Sequence, residues 1–268
     1  MSRNKAEQNR PRRPFGPWAS VEVGLLSTML LVCAPARAQQ EPARGHGSEQ
    51  RNMRLVGAHD LQGRAAYQPL PIRQDDRYVL YVGHHVGRVL NSLSGDQEVN
   101  GTSVLDVTDP RRPFYLHHIP ATGDAQSAQH VRVCDGADLP RGDAGTIYLL
   151  RTNDNESHEV WDVTDPQFPL LVATVVSVGR MAISGDKATH KSAWDCETGI
   201  AYLVSSVDDW RAARILQVFD LGDPAAPVHV RDYSLVGVQP DASGPVPGGS
   251  GVHEPVVFDD RLYLSYGT

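Results

Sequence analysis

Apolar and polar positions in this chain follow one another in short runs, with no long helical period among them. β-Branched and aromatic residues gather at 146–151, 200–205 and 262–266. A polar turn precedes each run, at 135–145, 195–199 and 259–260. Runs of this kind between turn residues predict strands. Ahead of each turn lies another apolar strand that opens near a histidine, with His130 before Val131, His190 before Ala193 and His253 before Val256. In the second and third units the strong run leads into an Asp-Pro phrase and then a last strand, as at 170–176. The same order fits 67–73, 78–82, 102–107 and 114–119 in the first unit.

The Asp-Pro phrase is written three times. It runs 103–113 (SVLDVTDPRRP), 159–169 (EVWDVTDPQFP) and 217–227 (QVFDLGDPAAP), with Asp106, Asp162 and Asp220 spaced 56 and 58 positions apart. A fixed period of this size is the mark of a repeat architecture. Four antiparallel strands per repeat predict an all-β fold, a β-propeller of four-stranded blades over 53–268. Asp106, Asp162 and Asp220 close the third strand. Asp109, Asp165 and Asp223 precede a proline, which favours a turn and ends the ladder. Capping of turns is the expected role of all six; calcium binding is the alternative.

The ends fit less neatly. Residues 53–57 read as an outer strand without a blade. The run 262–266 reads as a second strand with no third strand after it, so the last blade is expected to be truncated. A fragment of a longer chain is favoured over an incomplete blade, because an unclosed blade leaves an exposed edge.

The first 38 of the 268 residues carry a basic segment ending at Arg12-Arg13, an apolar run and Ala36-Arg37-Ala38. That is the pattern of an export signal, with the Sec and twin-arginine routes both open. The apolar run is too short to span a bilayer, so no transmembrane segment is expected in the mature chain. A flexible polar leader follows at 39–52. The chain has a formal net charge of −7 and no basic patch, which argues against nucleic acid as a partner. A periplasmic or extracellular location is expected. Cys134 and Cys196 then meet an oxidising compartment and are open to pairing. Against pairing stands the outward splay of blades, and two separately buried thiols are the alternative.

The phrases at 104–113, 160–169 and 218–227, with His130, His190 and His253 opening the inner strands, resemble the LVIVD-repeat proteins, exported bacterial β-propellers. The resemblance covers nearly all of 53–268. It implies fold and location; most of that family has no assigned activity.

His130, His190 and His253 occupy equivalent places on successive inner strands, which converge on a propeller's channel. Three imidazoles at one axis would suit a transition metal as cofactor. The same residues would equally serve as hydrogen-bonding ties between blades, and Tyr67-Gln68 interrupts the series in the first unit. Glu254 and Asp195 stand where they could orient imidazoles. His84-His85 and His117-His118 are expected at the surface by default; the alternative is that one member of each pair faces the channel or a rim. The chain shows no nucleophile elbow, phosphate-cradling loop or dinucleotide fingerprint. The expected function is therefore a binding or scaffold module, more a binder than an enzyme, for an unknown protein, glycan or small ligand at a propeller face. The alternative is a metal-dependent enzyme with a histidine-lined channel.

Overall fold

The computed structural model describes residues 51–123, 128–175 and 189–267. The expected export signal (1–38) and leader to residue 50 lie outside the described residues. From Met53 onward the chain forms one compact unit. Among the described residues it is all β, with two three-residue 3-10 turns and no helix long and apolar enough to cross a membrane.

The first blade is built from β1 (Ala66–Gln74), β2 (Arg77–His84), β5 (Gly101–Asp106) and β6 (Phe114–Pro120). Between its second and third strands a small hairpin is inserted, β3 (Arg88–Leu90) with β4 (Gln97–Val99). The second blade is β7 (Val131–Asp135), β8 (Ile147–Asn153), β9 (Ser157–Asp162) and β10 (Leu170–Val175). The third is β11 (Thr189–Trp194), β12 (Ile200–Ser205), β13 (Ile215–Asp220) and β14 (Val228–Tyr233). A fourth sheet holds β15 (Val252–Phe258) and β16 (Arg261–Tyr266). All pairings are antiparallel, and apart from β2 with β5, which flank the inserted hairpin, they join neighbours in sequence, as propeller blades require. The first strands line up beside one another: β7 beside β1, β11 beside β7 and β15 beside β11.

The core lies between blades, and strand parity builds it. Successive side chains of a strand point to opposite faces. In β8, Leu149 faces the first blade, where it meets Val79, Tyr81, Val104 and Ile119. Leu150 and Tyr148 face the third blade, against Trp194, Leu203 and Phe219. In β12, Ala201 and Leu203 look back while Val204 and Tyr202 look forward onto Val252 and Leu264. A middle strand therefore needs apolar residues at both parities, which explains the continuous runs in the sequence. Each such Leu or Val withdrawn from water stabilises the fold by roughly 1.5–3 kcal/mol before entropy is counted. Arg151, 1% exposed, joins two blades. It donates to the Ile119 and Pro120 carbonyls at 2.7 and 2.9 Å and pairs with Glu159 at 2.8 Å.

The Asp-Pro phrase makes two consecutive turns in each blade. The backbone N–H of Thr108, Thr164 and Gly222 donates to Asp106, Asp162 and Asp220 at 2.8, 2.9 and 2.7 Å. The N–H of Arg111, Gln167 and Ala225 donates to Asp109, Asp165 and Asp223 at 3.1, 3.0 and 3.0 Å. These carboxylates are occupied in holding the exit from the third strand. Residues 53–57 carry no strand. They pass over the first blade's turn instead, so close that a Cβ on Gly57 would stand 2.1 Å from the Pro110 carbonyl oxygen.

Candidate axial site

The ends of the inner strands gather imidazole, carboxylate and ammonium side chains. At this end the ladder is irregular between Ala66 and Gln68, between Thr189 and Ser192, and between Val252 and Glu254. Each irregularity holds a residue that faces its neighbours across blades: Tyr67, then His190 and Lys191, then His253. A bulge turns a side chain off the regular pleat, and bulges are frequent beside functional sites.

His130 is fully buried, and its state follows from its partners. The backbone N–H of Ser192 donates to Nδ1 at 3.1 Å, and the Ser192 hydroxyl lies 3.2 Å from the same nitrogen. Nδ1 is thus the acceptor, and the ring proton sits on Nε2. That nitrogen faces Glu254 Oε1 at 3.5 Å. Burial pushes the His130 pKa down to about 3, against the pull of Glu254, so the ring is neutral at pH 7. The contact with His130, opposed by partial burial and reinforced by the Lys191 charge, holds the Glu254 carboxyl down to about 2. Glu254 is 30% exposed at its side chain. It is therefore ionised at neutral pH, with the His130 ring on one side and solvent on the other.

Lys191, only 3% exposed, donates to the Tyr67 hydroxyl at 2.5 Å and stands 4.0 Å from the centre of that ring. An ammonium has protons only to give, so the Tyr67 oxygen accepts here and its own proton is directed elsewhere. The His85 ring meets Tyr67 edge-on with centroids 4.2 Å apart. The His190 and His253 rings also meet edge-on, at 4.9 Å. Burial, then the Arg214 charge, then His253, press the His190 pKa down to about 3.

The three histidines read from the sequence are thus divided. His190 and His253 touch, while His130 is turned to Ser192 and Glu254. No group of three His, Cys, Asp or Glu side chains among the described residues is arranged to hold a metal ion. Glu254 does stand against an imidazole, as expected. Asp195 does not join the cluster; its carboxylate accepts from the Glu197 N–H and the Thr198 hydroxyl in a tight turn. The expectation of surface histidines fails for two of four. His84 is fully buried, between the Ala65 carbonyl at 2.9 Å and the Ser103 hydroxyl at 2.7 Å. His118, 3% exposed, meets Glu98 of the inserted hairpin at 2.6 Å. Sequence reading missed Lys191 and Arg214 entirely. Their only signal was a cation set beside an apolar strand.

No family model matches the chain, and no curated protein does. Solved structures do. One is a glycoside hydrolase family 43 arabinoxylan arabinofuranohydrolase from Bacillus subtilis, in complex with cellotetraose. It has 12% identity over 76% of this chain and 46% of that one, with a TM-score of 0.40. Another is a putative glycosidase from Bacteroides thetaiotaomicron, with 13% identity over 75% and 64% and a TM-score of 0.40. A third is a family 43 β-xylosidase/α-arabinofuranosidase from a compost microbial metagenome, in complex with xylotriose. It has 15% identity over 76% and 64%, with a TM-score of 0.38. The chain spans 46% to 64% of the length of these structures. The names of these structures are those of glycosidases, which runs against the expected binding or scaffold module of unknown ligand. The likeness is one of fold, and the functional reading rests on the axial cluster.

Proposed function

We propose that the protein is a carbohydrate-active enzyme that cleaves a glycosidic bond at the axial mouth, between Glu254 and the Tyr67–Lys191 pair. The observation that carries this reading is Lys191, which donates to the Tyr67 hydroxyl and leaves that proton free while its charge also acts on the outward-open Glu254 carboxylate. Cleavage of an acetal needs two things: negative charge near the anomeric carbon as it becomes cationic, and a proton for the departing oxygen. Glu254 supplies the first and Tyr67 the second. The C–O bond breaks, the Tyr67 proton goes to the leaving alcohol, and the resulting phenolate is held by the Lys191 ammonium. Water then attacks the anomeric carbon and returns its proton to Tyr67. Most glycosidases use two carboxylates; this cluster departs from that set by placing a phenol where the acid stands. The exposed Tyr67 ring also offers the apolar face on which sugars pack.

Two further expectations belong to this proposal. The repeats are those of an LVIVD-type propeller, and the protein works outside the cytoplasm. The Cys134–Cys196 disulfide supports the second, since such bonds persist in oxidising compartments.

The test is a panel of aryl glycosides and oligosaccharides offered to the full chain, with Glu254→Gln and Tyr67→Phe beside the parent. Cleavage by the parent is expected, reduced on the order of 100- to 10,000-fold in either variant. A folded parent protein that cleaves and binds none of the panel overturns the reading.

A further inference from the structure

Alongside the strand that carries His253 lies a positive charge that has no counter-ion among the described residues. Arg214 is 3% exposed, and its Nε has no hydrogen-bond partner. No salt bridge among the described residues reaches it. Burial lowers its pKa with no acidic group working the other way, yet a guanidinium does not give up its proton in a protein. A buried, unpaired charge costs several kcal/mol, and natural folds rarely keep one without use. Arg151 shows what this chain does with a structural arginine: every side of that guanidinium is bonded to Glu159 or to the carbonyls of the neighbouring blade.

The surroundings of Arg214 extend the pattern. Its carbonyl accepts from the Val252 N–H at 3.1 Å, which sets it alongside the strand carrying His253. The His190 ring stacks edge-on against His253, and His190 Nδ1 is a second buried polar atom without a partner. Arg214 is the strongest charge acting on His190, after burial itself. One buried cation and one unused imidazole nitrogen thus share a place by the His190–His253 ring pair.

We infer that Arg214, with His190 and His253, forms a subsite for a carboxylate carried by the sugar substrate, so that the preferred ligand is an acidic glycan containing a uronic acid. This deepens the carbohydrate reading and rests on it for the sugar; the requirement for an anion stands on Arg214 alone. A planar carboxylate matches the guanidinium fork with two parallel hydrogen bonds. It would also accept from His190 once that ring carries its proton on the nitrogen facing it.

The inference is tested by calorimetry on the full chain with glucuronate, glucose, inorganic sulfate and inorganic phosphate as separate ligands, for the parent and for Arg214→Met. The expected result is tighter binding of glucuronate than of glucose, with Arg214→Met weakening glucuronate roughly 10- to 100-fold and leaving glucose unchanged. Arg214→Met is also expected to unfold at a higher temperature than the parent, because an unpaired buried charge is replaced by an apolar chain of similar volume. Equal binding of glucose and glucuronate, unaffected by Arg214→Met, overturns the acidic subsite and leaves the carbohydrate reading intact. Binding of sulfate or phosphate with neither sugar overturns the assignment to a sugar carboxylate, while the carbohydrate reading stands or falls on the glycoside panel. A lower unfolding temperature in Arg214→Met, with unchanged glucuronate affinity, makes the residue structural and sinks the inference.

Discussion

At the scale of single residues, aspartates and histidines that looked alike in the sequence divide by what surrounds them. The three strand-ending aspartates each accept one backbone N–H two residues on, but Asp220 alone also receives both bonds from Arg141, at 2.8 Å each. Asp162 alone also accepts from a side-chain hydroxyl, that of Thr164 at 2.6 Å. Removing the common turn bond in Asp106→Ala is expected to lower stability by about 1 kcal/mol. Asp162→Ala should cost more, about 2 kcal/mol, because the Thr164 hydroxyl it holds also caps the Ile147 N–H at 3.0 Å. Urea unfolding of both variants checks the order; an equal or reversed loss would show that the Thr164 link contributes nothing.

At the scale of elements, blade contacts are closed by a covalent bond. Cys134 lies one residue before the end of β7 and Cys196 follows β11, and the two are joined with Cα atoms 5.5 Å apart. The outward splay of blades argued against this bond. It is least near the axis, where inner strands lie side by side, and both cysteines sit at that edge. The bond closes a loop across 62 positions. Cys134→Ala with Cys196→Ala is expected to lose about 2–4 kcal/mol of stability, most of it through the unfolded chain. Equilibrium unfolding of that double variant beside the oxidised parent measures the loss, and an unchanged midpoint would rule out the cross-link as a stabilising element. Thiol titration of the unfolded, non-reduced protein should find neither of these cysteines free.

For the whole molecule, buried histidines make acid the weak point. His84, His130 and His158 are fully buried, and burial pushes them down to about 4, 3 and 4. The folded state resists protonation that the unfolded chain accepts near pH 6.5. Each ring's stabilisation is therefore complete above that pH and is lost as pH falls toward the folded value. Between pH 7 and pH 5 the loss should reach about 1–2 kcal/mol for each ring, well before carboxylates titrate. Urea midpoints across that range test this. A flat profile between pH 7 and 5 would mean that these rings are reached by water.

The sequence by itself determined the repeat and the all-β order, because strand formation and Asp-Pro turns depend on neighbours in the chain. It also put His130, His190 and His253 near the starts of successive inner strands, since a repeat carries its register with it. The tertiary structure alone decided which of them meet. A bulge at 190–191 turns His190 toward His253, and the Ser192 amide turns His130 toward Glu254. Lys191 and Arg214 became visible only there. A lysine or arginine at a strand end reads as solvated until the next blade covers it, and burial is a property of two blades at once. The inserted hairpin β3–β4 was hidden for a similar reason: its strands are three residues each, and one of its residues, Glu98, is held against His118 of another strand. Local pattern fixes what a segment becomes; the approach of distant segments fixes which charges lose their water, and the chemistry of this site follows from that loss.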